Sequence, residues 1–82
     1  MSKLTDYLRK RRKELGMTQF QLSQLLNLSD GAVAKYETEA RIPGLEVLLK
    51  YSRVYHVSIY KLVDLRIEDI KGGEANDVNK NS

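Results

Sequence analysis

The stretch from Met17 to Glu37 constrains the fold more than any other part of this chain. It reads Met-Thr-Gln-Phe-Gln-Leu-Ser-Gln-Leu-Leu-Asn-Leu-Ser-Asp-Gly-Ala-Val-Ala-Lys-Tyr-Glu. Thr18, with Gln21 three residues on, makes a capping box, in which side chains satisfy the first orphan amides of a helix. Leu22, Leu25 and Leu26 follow at helical spacing. Asn27 breaks the helix, because asparagine tolerates the left-handed backbone of a tight turn. Leu28 plugs that turn, and Ser29 suits the N-cap of a further helix running to about Thr38. A basic run, Arg9-Lys10-Arg11-Arg12-Lys13, comes directly before.

The helical period dominates elsewhere, and no strand is convincing. Leu4, Leu8 and Leu15 share a stripe that predicts a first helix ending at Gly16, a natural C′ residue. Residues 38–43 read as a polar loop closed by Pro43, the sole proline. A fourth helix is expected over about Leu45–Tyr55, with Leu45, Leu48, Ser52 and Tyr55 on one face. Val57 leads to Ser58, the N-cap of a short fifth helix through Val63. The expected fold is all-α with five helices. The domain is placed at 1–66, and 67–82 is read as a polar, glycine-rich, disordered tail.

Eighty-two residues at 41% hydrophobic suffice for one small core. There is no cysteine, hence no disulfide and no thiolate metal cluster. No apolar run approaches the ~20 residues that span a bilayer, and the N-terminus has no secretory h-region. The expected setting is cytoplasmic, with no membrane contact. Residues 1–66 carry 12 basic and 7 acidic groups, a net +5, whereas 67–82 carry 2 and 4, a net −2. A basic domain points to a polyanion: DNA, RNA or an anionic membrane surface. His56 is the sole histidine and reads as a turn residue rather than a metal ligand. No nucleophile–base pair and no phosphate-cradling loop can be proposed, so neither an enzyme nor a cofactor is expected.

Two charges fall on apolar stripes. Arg12 lies four residues after Leu8 and three before Leu15, and Glu37 lies four after Val33. An unpaired buried charge costs several kcal/mol, so Arg12 and Glu37 can satisfy one another across the first and third helices. Alternatively, Arg12 lies at the edge of the stripe and snorkels to solvent.

From about Leu8 to Val63 the chain resembles the phage-repressor/Cro-type (XRE-like) helix-turn-helix family. The resemblance rests on Arg12, Gly16-Met17-Thr18-Gln19, Leu22-Ser23, Leu28-Ser29, Val33, Tyr36-Glu37 and Pro43. It continues through Leu45, Leu48, Tyr51-Ser52, Tyr55, Val57-Ser58 and Leu62. It implies five helices, a helix-turn-helix at helices 2–3, operator binding as a dimer, repression of transcription and an Arg12–Glu37 ion pair. Ser23 and Ser52 stand where a small alanine is usual, Asn27 where glycine is usual, and Tyr51 and Tyr55 where aliphatics are common.

In that geometry the start of the third helix meets base edges in the major groove of duplex DNA. The resemblance thereby assigns base contacts to Ser29, Asp30, Gly31, Ala32 and Lys35. Asp30 can accept from a cytosine amino group, Ala32 can pack on a thymine methyl, and Lys35 can donate to guanine or phosphate. Phosphate contacts are expected from Thr18, Gln19, Arg41, Arg9 and Lys13. Tyr51, Val54, Tyr55, Ile59, Tyr60 and Val63 form a candidate dimer interface. Two other roles remain open from the residues: an antitoxin-like module that holds a protein partner through its C-terminal tail, and the DNA-binding part of a longer regulator.

Overall fold

A computed structural model describes the backbone of residues 2–81 and the side chains of residues 2–72. The described residues form five helices and no strand: α1 Lys3–Glu14, α2 Gln19–Leu25, α3 Ala32–Glu37, α4 Leu45–Tyr55 and α5 Ile59–Asn81. The short connections each turn on a residue with left-handed backbone: Gly16, Asn27, Glu39 and His56, with φ of 69°, 55°, 62° and 54°. After α1, the Met17 amide donates to the Arg12 carbonyl at 3.2 Å and the Gly16 amide to Lys13 at 3.0 Å. After α2, Leu28 donates to Ser23 at 2.9 Å and Asn27 to Gln24 at 3.0 Å. Both are Schellman caps, which satisfy orphan carbonyls while reversing the chain. The capping box at Thr18 is present in both directions, through Gln21.

The core gathers Leu4 and Leu8 of α1, Leu22 and Leu26 of the α2 segment, and Val33 and Tyr36 of α3. Leu48, Tyr51 and Tyr55 of α4 and Leu62 of α5 complete it. Three tyrosines fill its centre edge to face: Tyr36 and Tyr51 at 6.4 Å between centroids, Tyr51 and Tyr55 at 5.4 Å. Leu15 and Leu45, expected on buried stripes, sit instead at exposed helix ends, 39% and 67% accessible.

One expectation about the fifth helix is corrected: it does not stop near Val63 but runs on to Asn81. Asp69 is the reason the extension packs: its carboxylate accepts from the Lys3 amide at 2.8 Å and the Leu4 amide at 3.1 Å. Ser2 Oγ takes the Thr5 amide at 3.0 Å, and Glu39 takes the Ser2 amide at 3.0 Å. The first turn of α1 is thus capped by carboxylates from distant segments, where the helix dipole favours negative charge. Of the tail expected at 67–82 to be disordered and to serve a protein partner, residues 73–82 have side chains that lie outside the described ones.

Within the core, the Tyr55 hydroxyl donates to the Leu8 carbonyl at 2.8 Å, whereas the Tyr51 hydroxyl has no partner among the described residues. Desolvation raises both phenols above their usual range, so both are neutral at any physiological pH. We expect Tyr55→Phe to cost about 1 kcal/mol and Tyr51→Phe to be neutral or stabilising, read from urea denaturation midpoints. A larger loss at Tyr51 than at Tyr55 would contradict this hydrogen bonding. Asp69→Ala should cost roughly 1–2 kcal/mol as a lost helix cap. An unchanged melting temperature would show that α5 beyond residue 66 does not hold α1.

Candidate nucleic-acid interface

The structure brings Arg12 and Glu37 together. Arg12 Nε donates to Glu37 Oε2 at 2.8 Å and Nη2 to Oε1 at 3.0 Å, a bidentate fork. Arg12 Nη1 donates to the Met17 carbonyl at 2.8 Å. Gln19 Nε2 donates to Glu37 Oε1 at 3.0 Å. Arg12 is 9% exposed and Glu37 2%. The hydrogen bond and charge of Glu37 raise the Arg12 pKa against the opposing effect of burial. One buried cluster therefore joins α1, the start of α2 and the end of α3.

The start of α3 differs from the sequence expectation. Ser29 is not its N-cap: the Ser29 carbonyl accepts from the Ala32 amide at 3.0 Å in a turn, and Gly31 is the N-cap. Gly31 has no side chain to cap with, and the Val33 amide is satisfied from α2 instead, by Ser23 Oγ at 3.2 Å. Ser23 is fully buried. The serine that replaces the usual alanine thus closes the start of α3 from behind.

Ser29, Asp30 and Gly31 lie exposed on this turn, and Lys35 lies exposed a turn later. Asp30 Oδ1 accepts from Gln24 Nε2 at 2.8 Å. Gln24 was not singled out from sequence, because a contact across six residues and a turn leaves no local signature. A Cβ at Gly31 would meet nothing within 4 Å, so the fold itself makes no demand for glycine there. The assignment of Ala32 is corrected: at 6% exposure it belongs to the core and has no methyl to offer a base.

Gln19, half-buried, touches α3 through Glu37, and the exposed Arg41 donates its amide to the Lys35 carbonyl at 3.2 Å. Thr18 is exposed, with its hydroxyl and amide both engaged by Gln21. Arg9 and Lys13 are not part of this cluster. They line a separate groove on α1 with Asp6, Lys10 and Glu14. Arg11 faces Glu14 at 3.7 Å. The five-residue basic run thus divides: Arg12 turns inward, and the rest mix with acids on the outer face of α1.

The expected dimer surface is also corrected. Tyr51 and Tyr55 are fully buried in the core, since their rings fill the space between α1, α3 and α4. Val54, Ile59 and Val63 are half-buried, with Val54 and Ile59 packed on the core. Tyr60 is 77% exposed.

Among the described residues, no helix is long and apolar enough to cross a membrane, and no group of acids and His56 is placed to hold a metal. A family model described as helix-turn-helix matches residues 8–62. No curated protein and no solved structure matches the chain.

Removing one partner of a buried ion pair leaves the other uncompensated, at about 3–5 kcal/mol. Glu37→Ala should therefore take that much from the stability measured in urea. The paired change Arg12→Met with Glu37→Leu should recover most of it. A Glu37→Ala midpoint close to that of the unaltered chain would show that the cluster does not hold the helices together.

Proposed function

The chain belongs to the XRE-like helix-turn-helix family, whose kind of function is DNA-binding transcription regulation, and we propose that it reads duplex DNA sequence-specifically as a dimeric repressor. The observation that carries this reading is a single exposed edge: the turn Ser29-Asp30-Gly31 followed by Lys35, on a helix fixed from behind by Ser23 and the Arg12–Glu37 cluster. An element that must enter the major groove has to protrude and has to be rigid.

The roles follow from chemistry. Asp30 accepts a hydrogen bond from a cytosine amino group, and Gln24, already bonded to it, fixes its direction. Gly31 lets the backbone approach the groove closely. Lys35 donates to guanine or to a nearby phosphate. Ser29 offers a hydroxyl at the leading edge. Arg41, tethered beside Lys35, and Gln19, tethered to Glu37, contact the backbone on either side of the groove. Thr18 adds a hydroxyl at the exposed start of α2, a position whose dipole favours phosphate. Arg9 and Lys13 extend the positive surface toward flanking DNA. A palindromic operator would then present one half-site to each subunit, in the cytoplasm of the host cell.

Selection of bound sites from random duplex DNA tests the reading directly. A recovered palindrome supports it, and an absence of any enriched sequence at low salt overturns it. With three phosphate contacts per subunit, the slope of log K against log salt should be roughly −5. Lys35→Ala and Arg41→Ala should weaken binding, and Arg41→Ala, which removes one contact from each subunit, should make that slope shallower by about 2. Asp30→Ala should change the ranking of operator variants, by about 1–3 kcal/mol at one base pair, more than it changes overall affinity. An unchanged ranking in competitive gel shifts would remove Asp30 from base reading.

A further inference from the structure

Where the start of α1, the loop after α3 and the middle of α5 meet, they enclose a cavity of about 60 Å³. It is smaller and more enclosed than the grooves on α1 and α2. Four ionisable side chains line it: Glu39 and Arg41 from the loop, Arg66 and Asp69 from α5. Two acids and two arginines at one cavity would ordinarily pair with each other. Here neither guanidinium has an ion-pair or hydrogen-bond partner among the described residues. The acids are engaged by α1 instead. Asp69 takes the Lys3 and Leu4 amides at 2.8 and 3.1 Å, and Glu39 Oε1 takes the Ser2 amide at 3.0 Å. Ser2 Oγ is occupied too, accepting from the Thr5 amide at 3.0 Å and donating to Thr5 Oγ1 at 2.8 Å. What the cavity offers a ligand is therefore two guanidinium forks, one of them on the half-buried Arg66. Leu4, Ile42 and Pro43 add an apolar wall, which limits the screening of that charge by water.

Chemistry and size together narrow what fits. Each fork matches two oxygens of an oxyanion, so two forks suit an anion with more oxygens than a carboxylate has. One water needs about 10–15 Å³ of such space, so the cavity admits roughly four to six atoms of that size. The phosphorus and oxygens of phosphate fill it. The acids decide between phosphate and sulfate. Hydrogen phosphate carries a proton that the second oxygen of Glu39 can accept, whereas sulfate meets the carboxylates only as like charge. We propose that this cavity binds inorganic phosphate between Arg41 and Arg66, and that the bound ion draws Arg41 away from DNA.

The cavity stands on its own residues; its coupling to DNA rests on the function proposed above, in which Arg41 contacts the duplex backbone. A duplex is too broad to enter a cavity of this size, so the phosphate that meets Arg66 is a free ion. One guanidinium cannot hold that ion inside and a backbone phosphate outside together. Phosphate therefore lowers the affinity for DNA, and DNA lowers the affinity for phosphate by the same factor.

The test uses the full chain at fixed ionic strength. Inorganic phosphate at about five times its dissociation constant should raise the melting temperature by about 4–8 °C. Arg66→Ala should lose that response, and comparison with it cancels the general salting-out by multivalent anions. Arg66→Lys, which keeps the charge without the fork, should weaken phosphate binding roughly tenfold in titration calorimetry. Sulfate should bind more weakly than phosphate. In gel shifts on selected operator DNA, phosphate should weaken binding by no more than the factor that Arg41→Ala costs, and should leave Arg66→Ala unaffected. Equal thermal responses in the unaltered chain and both Arg66 variants, or equal binding of sulfate, would overturn the site. Operator binding indifferent to bound phosphate would overturn the coupling. An Arg66-dependent phosphate response in a chain that ignores duplex DNA would uphold the site and overturn the function. Operator binding without any phosphate response would do the reverse. Weaker operator binding by Arg66→Ala in phosphate-free buffer would put a DNA phosphate at Arg66 and overturn the free ion.

Discussion

The buried fork between Arg12 and Glu37 is the constraint on which the rest of the architecture depends. A charge pair removed from water gains little net energy over an apolar pair of the same shape. What this pair contributes is position. Its oxygens and nitrogens engage α1, the Met17 carbonyl, the Gln19 amide and the last turn of α3 at distances between 2.8 and 3.0 Å. A leucine–methionine contact could slide by half an ångström at small cost, whereas a bidentate fork cannot. The α3 helix has only six residues, too few to be stable by itself. Its N-terminal amide is held by Ser23 and its C-terminal carboxylate by Arg12. Both anchors come from the buried side, which leaves the opposite face free of structural duty.

A second set of anchors acts at the far end of α1. The carboxylates of Asp69 and Glu39 and the hydroxyl of Ser2 receive the first amides of that helix, so α1 is fixed at its start by α5 and at its end by α3. The Lys3–Glu68 pair beside it, 3.8 Å long and largely solvated, adds little by comparison. The outcome is a small core with tyrosines at its centre and polar bonds at both ends of its longest central helix. Such an arrangement resists the shear that would otherwise let a short surface helix tilt when it meets a phosphate backbone.

What could be read from sequence divides by range. The capping box at Thr18, the turn at Asn27 and the helix end at Gly16 were legible because each is settled within about five residues by side chain and backbone together. The five-helix order was legible from periodicity for the same reason. The role of Asp69 was not, because its partners lie 65 and 66 residues away and nothing local marks an aspartate among polar neighbours as a cap. Tyr51 and Tyr55 were misplaced on a surface because an aromatic stripe has the same spacing whether it faces core or solvent. Ser29 was given the cap of α3 because serine usually fills that place. The buried Ser23 hydroxyl, supplied across the turn, won instead. Ala32 was assigned to a base for a related reason: its position at the helix start was right, but its side faced inward.

The reading edge itself argues for symmetry. In the proposed reading, one subunit presents Asp30 and Lys35 as side chains able to discriminate bases, with Gly31 contributing only closeness of approach. A good base contact distinguishes right from wrong by about 1–3 kcal/mol. Two such contacts cannot separate one operator from the very large number of competing sites in a genome. The net +5 of residues 1–66 draws the protein to any duplex, which raises affinity without raising discrimination. In the same reading Asp30 would oppose that indiscriminate attraction, since its charge is repelled wherever no donor awaits it. Doubling the edge about a two-fold axis squares the discrimination ratio while each subunit stays small.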